Sequence, residues 1–363
     1  MSPSPHRIKP DCQSFLAGCG GCQWLHVDYR TQLLWKQRIL SKSLTKALGV
    51  KVTPAPVVPM RDPSACRNKL SMVRRQNGQF GLMKENSKEV VPIEHCPMEL
   101  PLIQRAYRQL SRVSFPPPVT QIHLRGTRHE CGLTMYADHA PPSLTSFAKK
   151  LLQSHPALSS AAVRTETGTR LLAGLPFLSQ RVGRLEFRIP PDAFFQINYF
   201  QAVTLLETVK NLLKVTRNET VVDLYAGVGF FSLELAREAR SVVGIEGNPA
   251  SVDAARLNAR LNRIDNAEFR SCSTALGLHS FRPGDVNALI LDPPRAGCDA
   301  RTIRELVRLK IPRLVYVSCD PLTLSRDCAL LVEGGYLLGD IRPVDMFPHT
   351  WHLETAVSLV SRK

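Results

Sequence analysis

The residues best suited to chemistry in this sequence are a cysteine and an acid near its C-terminal end. Cys319 closes the run RLVYVSCDP, whose apolar stretch has the character of a buried strand. Glu354 lies in DMFPHTWHLE, 35 residues further on, just before the apolar segment TAVSLV. A thiolate is a natural nucleophile for C6 of a pyrimidine. Addition there makes C5 carbanion-like and able to attack a methyl sulfonium. The adduct must then lose its C5 proton before the thiolate can leave, so a general base is required. Glu354 is the candidate base. His349 and His352 are competitors for that role, with hydrogen-bonded core positions as their ordinary alternative.

A cofactor site is written upstream. VVDLYAGVGFFSLELA sets Asp223 at a strand end and Gly227 and Gly229 in a tight turn into a helix. Glycines allow close backbone approach, and helix N-termini offer free amides. The next strand, SVVGIE, ends in Glu246, an acid placed to accept bonds from ribose hydroxyls. A dinucleotide fingerprint wants a third glycine near Ser232, and none stands there. The pattern therefore favours S-adenosylmethionine over NAD. ALILDPPRAG brings a further strand end, Asp292, to the same crevice.

Ten cysteines occur in a chain whose first residues, Met1 to Asp11, are polar and proline-rich rather than a signal peptide. Metal binding and nucleophilic chemistry are then expected ahead of disulfides, in a soluble cytoplasmic protein. Cys12, Cys19 and Cys22 are spaced C-x6-C-x2-C, and Cys96 in IEHCPME is a plausible fourth ligand. Four thiolates suit a [4Fe–4S] cluster or zinc, and spacing does not decide between them. A radical enzyme with an open iron would want C-x3-C-x2-C and would leave Cys319 and Glu354 without a purpose. Cys272 and Cys328 are expected to be small core residues.

The elements that must position these groups fall into two styles. After Phe194, short apolar strands (221–224, 242–245, 288–291, 314–317) alternate with helical patterns (198–213, 229–238, 249–262, 299–308, 321–333). That alternation predicts an α/β doubly wound, Rossmann-like catalytic domain over 189–363, with ligands beyond the strand ends. Between about 65 and 190, short alternating runs such as FGLMK, TQIHLRG and RLEFRIP predict a β-rich central domain over 57–188. A Cys-rich loop, 1–24, belongs with it. A helix and linker over 25–56 are expected to pack on the catalytic domain.

DLYAGVGFF, LDPPRAG, YVSCDP and DMFPHTWHLE, in this order, resemble the motifs of the RNA 5-methyluridine methyltransferase family and span most of residues 190–360. The resemblance implies Cys319 as nucleophile and Glu354 as base. FFQIN is similar to a family motif whose Gln contacts S-adenosylmethionine, so Gln196 joins Tyr225, Glu246 and Asp292 as implied cofactor residues. Phe230 stands where tRNA-type members have Asn and is left out of the site. Ribosomal-RNA members carry a [4Fe–4S] cluster on a loop one residue shorter than this one. Arg67, Asn68 and Lys69 resemble a family segment near the substrate.

Lys and Arg total 47 against 31 Asp and Glu, a formal charge of +16, which favours a polyanionic partner. Arg295 is placed to neutralise phosphate or a developing enolate, and Phe194 and Phe195 to stack a base or pack in the core. The cysteines begin close to the start of the chain, so no barrel domain is expected before them. With the cluster, that most resembles the enzyme that methylates U747 of 23S ribosomal RNA. Other 23S sites such as U1939, tRNA U54, a cytosine-C5 enzyme and a non-catalytic metal-containing RNA-binding protein are the alternatives. A monomer is expected.

Overall fold

The computed structural model describes residues 4–362. The chain opens with a short helix α1 (Gln13–Leu16) inside the cysteine loop and a long helix α2 (Tyr29–Leu48). The Asp28 side chain caps α2 by accepting from the Thr31 N–H, and Gly49 ends it in a left-handed conformation (φ 69°) that favours glycine. Leu40 and Leu44 of α2 share a core with Val222, Leu224, Leu324 and Leu331, so the helix packs on the catalytic layer.

The central sheet is built from β1 (Lys69–Arg74), β2 (Phe80–Met83), β3 (Val90–Pro92), β4 (Val119–Gly126), β5 (Cys131–Ala137), β6 (Ser160–Thr165) and β7 (Gly168–Gly174), with α3 (Pro101–Leu110) and α4 (Pro142–Ser154) between strands. Its spatial order is β3-β2-β1-β4-β5-β6-β7, and β5 and β6 run parallel. Alternation along the strands sends Leu70, Met72, Ile122, Leu124, Leu133, Met135 and Val163 to the core under α3 and α4. Lys69, His123, Arg125, Tyr136 and Arg164 alternate with those residues and occupy the opposite face.

A hairpin, β8 (Leu178–Val182) and β9 (Leu185–Ile189), forms its own two-stranded sheet. Val182, Leu185, Phe187 and Ile189 bury their side chains in the catalytic core beside Phe195, Leu205 and Phe230. The hairpin therefore buttresses the C-terminal layer.

That layer contains α5 (Tyr199–Leu213), β10 (Thr220–Leu224), α6 (Phe230–Ala236), β11 (Ser241–Glu246), α7 (Pro249–Leu261), β12 (Ala267–Ser271), α8 (Thr274–His279), β13 (Ala288–Leu291), α9 (Ala300–Leu309), β14 (Arg313–Ser318), α10 (Pro321–Glu333), β15 (Tyr336–Val344) and β16 (Glu354–Ser361). The sheet order is β12-β11-β10-β13-β14-β16-β15. One face packs against α5, α6 and α7, the other against α2, α8, α9 and α10. The strand order reverses between β10 and β13, which opens a crevice beyond their carboxyl ends. Asn248, Asp299 and Asp320 cap α7, α9 and α10, fixing where each loop above the sheet turns down.

The doubly wound expectation holds with one addition. β16 runs antiparallel between β14 and β15. An added antiparallel strand brings its first residues, not its last, to the end of the sheet where the parallel strands finish. No helix among the described residues is long and apolar enough to cross a membrane.

Candidate active site

The crevice is walled by the loops after β10, β11, β13 and β14 and by the start of β16. Tyr225, directly after β10, adopts a left-handed conformation (φ 62°), and Gly227 (φ 54°) and Gly229 (φ 90°) complete the turn. A non-glycine residue with positive φ is uncommon and strained, and such residues collect at functional sites. Thr274 Oγ1 lies 3.5 Å from the Tyr225 phenol oxygen. Glu246, at the end of β11, accepts from the Gly227 N–H at 3.0 Å and from the Asn248 N–H at 2.8 Å. Those bonds tie two loops together and leave lone pairs on the carboxylate for further donors.

Asp223 is buried at the end of β10. Ser232 Oγ donates to one carboxyl oxygen at 2.5 Å, and the other oxygen is buried without a partner. Burial pushes its pKa up to about 7, against the Ser232 bond and with Glu246 adding to the rise. Asp292, just after β13, is half-buried and is raised as well, by desolvation and then by Asp223. The two carboxyls act on one another and so resist double ionisation.

Cys319 and Glu354 meet at the other side of the crevice. Ser318 of β14 pairs with Thr355 of β16, so Cys319 and Glu354 are the next residues on either strand. Glu354 is only 4% exposed. Burial, then Asp292, holds its carboxyl well above the usual range, with Arg295 pulling the other way. Burial likewise pushes the Cys319 thiol up to about 12, with Glu354 and Asp292 adding and Arg295 opposing. These four side chains form one electrostatic cluster, in which burial and mutual repulsion raise the thiol and both carboxyls while Arg295 opposes the rise at Cys319 and Glu354.

The two histidines divide. His352 Nε2 lies 3.3 Å from the exposed Arg295 guanidinium. His349 has a left-handed backbone (φ 64°), and its Nδ1 is 3.1 Å from Gln32 Nε2 on α2. Burial drives both imidazoles down to about 4, so both are neutral at pH 7. Gln196 is buried in the segment linking the hairpin to α5. Asn68 Nδ2 donates to its carbonyl at 2.7 Å, and the Asn68 N–H donates to Ile197 O at 2.9 Å. The neighbouring phenylalanines part company: Phe194 is 70% exposed, whereas Phe195 is buried against Phe187 and Phe230.

Cys12, Cys19, Cys22 and Cys96 line one small cavity together with Phe15, Leu25 and Met98. Among the described residues, no group of three or more His, Cys, Asp or Glu side chains is arranged to hold a metal ion. Arg67 reaches into this loop, donating to Gly21 O at 2.7 Å and to Cys22 Sγ at 3.3 Å. Cys328 is fully buried, as expected for a core thiol; Cys272 is half-buried at the edge of that core.

Several residues that shape the site are polar groups the sequence does not flag. Tyr29, Gln32 and Lys36 of α2 grip the segment that precedes Glu354. Their signal is a stripe, Gln32–Lys36–Leu40–Leu44, on which two polar residues keep step with two leucines.

Residues 176–362 match the family model described as tRNA (Uracil-5-)-methyltransferase. An uncharacterized RNA methyltransferase of Gloeobacter violaceus is 35% identical, covering 99% of this chain and 84% of its own length. Another, from Thermotoga maritima, is 33% identical over 99% of this chain and 86% of its own.

The chain belongs to the tRNA/RNA uracil-5-methyltransferase family. The crystal structure of Pyrococcus abyssi tRNA (uracil-54, C5)-methyltransferase in complex with S-adenosyl-L-homocysteine aligns with a TM-score of 0.77 and 28% identity. It covers 99% of this chain and 87% of that one. Fold and family together make this an S-adenosylmethionine-dependent RNA uracil-C5 methyltransferase.

Proposed function

We propose that this methyltransferase modifies C5 of one uridine in 23S ribosomal RNA, U747, through a covalent adduct between Cys319 and C6. The juxtaposition of Cys319 and Glu354 across the β14–β16 pair carries the proposal. Sulfur adds to C6, and the electron pair moves onto C5 and its neighbouring carbonyl. C5 takes the methyl group. Glu354, as carboxylate, accepts the C5 proton, the C5–C6 double bond re-forms and the thiolate leaves.

In this mechanism burial makes Glu354 a stronger proton acceptor than an exposed carboxylate and excludes competing water. Bound S-adenosylmethionine supplies the methyl group and a positive charge that favours the thiolate. Gln196, Tyr225, Glu246 and Asp292 would hold it, with Glu246 accepting from ribose hydroxyls. Arg295, exposed beside His352, is placed to meet the negative charge that develops on the pyrimidine. The target base must leave its stack to reach a half-buried thiol, and the exposed Phe194 ring offers a stacking partner near the linker. The polar face of the central sheet, where Lys69 stands with His123 and Tyr136, is a candidate surface for holding RNA.

Four thiols lining one dry cavity are chemically suited to a [4Fe–4S] cluster, with zinc the alternative. Cys12, Cys19, Cys22 and Cys96 would hold it. Its contribution there would be architectural, joining the N-terminal loop to the 93–98 segment. The cluster-type cysteines favour ribosomal RNA as substrate. The likeness to the Pyrococcus enzyme supports a second reading, tRNA uridine 54. Methylation of unmodified 23S RNA and unmodified tRNA with labelled S-adenosylmethionine separates the two. Product at one 23S uridine is expected, and product on tRNA alone would transfer the assignment.

A further inference from the structure

The loop that leads into Glu354 makes a few bonds of its own, among them Met346 N–H to Val344 O and the Thr350 N–H and hydroxyl to Phe347 O, and is otherwise held by groups from distant segments. Phe347 O accepts from Lys36 Nζ at 2.9 Å. Pro348 O accepts from Arg67 Nη2 at 3.4 Å. The His349 N–H donates to Gln32 Oε1 at 3.0 Å, and His349 O accepts from the Gln23 and Trp24 amides at 3.0 and 2.9 Å. Asp345, just upstream, takes Lys36 Nζ on one oxygen at 2.5 Å and Tyr29 OH on the other at 2.7 Å. Both members of the Lys36–Asp345 pair are fully buried. Partners from α2, the cysteine loop and Arg67 thus satisfy three consecutive residues around a strained left-handed His349.

Such a turn persists only where its surroundings over-determine it. Two of the groups that do so, the Gln23 and Trp24 amides, directly follow Cys22, and Arg67 bonds Cys22 Sγ and Pro348 O with the same guanidinium nitrogen. We propose that α2 and the cysteine loop form a clamp on residues 345–349, with Gln32 and Lys36 as positioning residues that aim Glu354 at the C5 proton. Order in the cysteine loop is thereby transmitted to the proton-abstraction step. The inference rests on Glu354 as the base.

The test reads the step that a misaimed base slows. Gln32→Met removes the His349 contacts. Lys36→Met combined with Asp345→Asn removes the ion pair without stranding a buried charge. In both variants kcat is expected to fall about tenfold or more, with KM for RNA and S-adenosylmethionine affinity near wild type. The denaturation-resistant Cys319–RNA adduct should meanwhile build up severalfold, because addition continues while resolution slows. Adduct and product falling together, or unchanged kcat, would overturn the clamp. Absence of any adduct even in Glu354→Gln would instead fault the covalent mechanism itself. Native-state hydrogen exchange on the wild-type protein needs no variant. Peptides 19–27 and 345–353 are expected to open as one unit, and protection of 345–353 that survives opening of 19–27 would equally overturn the proposal.

Discussion

Cys319 and Glu354 stand one residue beyond the antiparallel pair Ser318–Thr355, on adjacent strands and close enough for the Glu354 carboxyl to raise the Cys319 thiol. The proposed nucleophile and base reach this position from strands of opposite direction. A parallel final strand would have carried Glu354 to the far end of the sheet. Converting Glu354 to Gln keeps size and hydrogen bonding but removes the proton acceptor. Methylation by Glu354→Gln is expected to drop by about 10²–10⁴-fold, and an RNA adduct that survives denaturing electrophoresis should accumulate. Cys319→Ala should give neither product nor adduct.

Cys319 reactivity offers a second check. Its thiol sits at about 12 because of burial, Glu354 and Asp292, so the ligand-free protein should alkylate slowly at this position at pH 8. Asp292→Asn removes one of the raising charges and should speed iodoacetamide labelling of Cys319 severalfold, followed by peptide mass spectrometry. An unchanged rate would show that Asp292 does not act on the thiol.

The crevice carboxyls set a pH dependence of stability. Asp223 titrates near 7 in the folded protein against about 4 when unfolded, and Asp292 and Glu354 are raised too. Where the folded state binds more protons than the unfolded state, stability falls as pH rises. The contribution is full below about pH 4 and is lost through pH 7 and above. Thermal unfolding of the ligand-free protein is expected to drop by about 3 °C or more between pH 6 and pH 8.5, and Asp223→Asn should flatten the slope.

The buried pair Lys36–Asp345 behaves as a unit. Lys36→Met alone leaves an uncompensated buried carboxylate and should cost about 3–5 kcal/mol. Adding Asp345→Asn should return part of that loss, a non-additivity that urea unfolding of the four proteins measures directly.

Much of the site is legible because its groups sit at strand ends, and short apolar strands announce themselves. Asp223, Glu246, Asp292 and Cys319 each close such a run, so their convergence follows from the doubly wound topology alone. Glu354 is harder, because nothing local gives the direction of TAVSLV, and only its pairing with both β14 and β15 decides it. α2 is misleading to hydropathy. Leu34 and Ile39 are exposed, while Gln32 and Lys36 are buried beside Leu40 and Leu44. Polar residues that satisfy another segment's backbone do not differ in type from those that face water, so Gln32 and Lys36 carry no local mark of the bonds they make to residues 345–349. Phe194 and Phe195 show the same limit, since adjacent identical residues take opposite fates.

The most direct test of the central claim is methyl transfer from labelled S-adenosylmethionine to unmodified 23S RNA, comparing wild type with Cys319→Ala and mapping the product. The account predicts 5-methyluridine at a single site, U747, from the wild type and none from the variant. Methylation that survives loss of the thiol, or a wild type silent on both 23S RNA and tRNA, would contradict it.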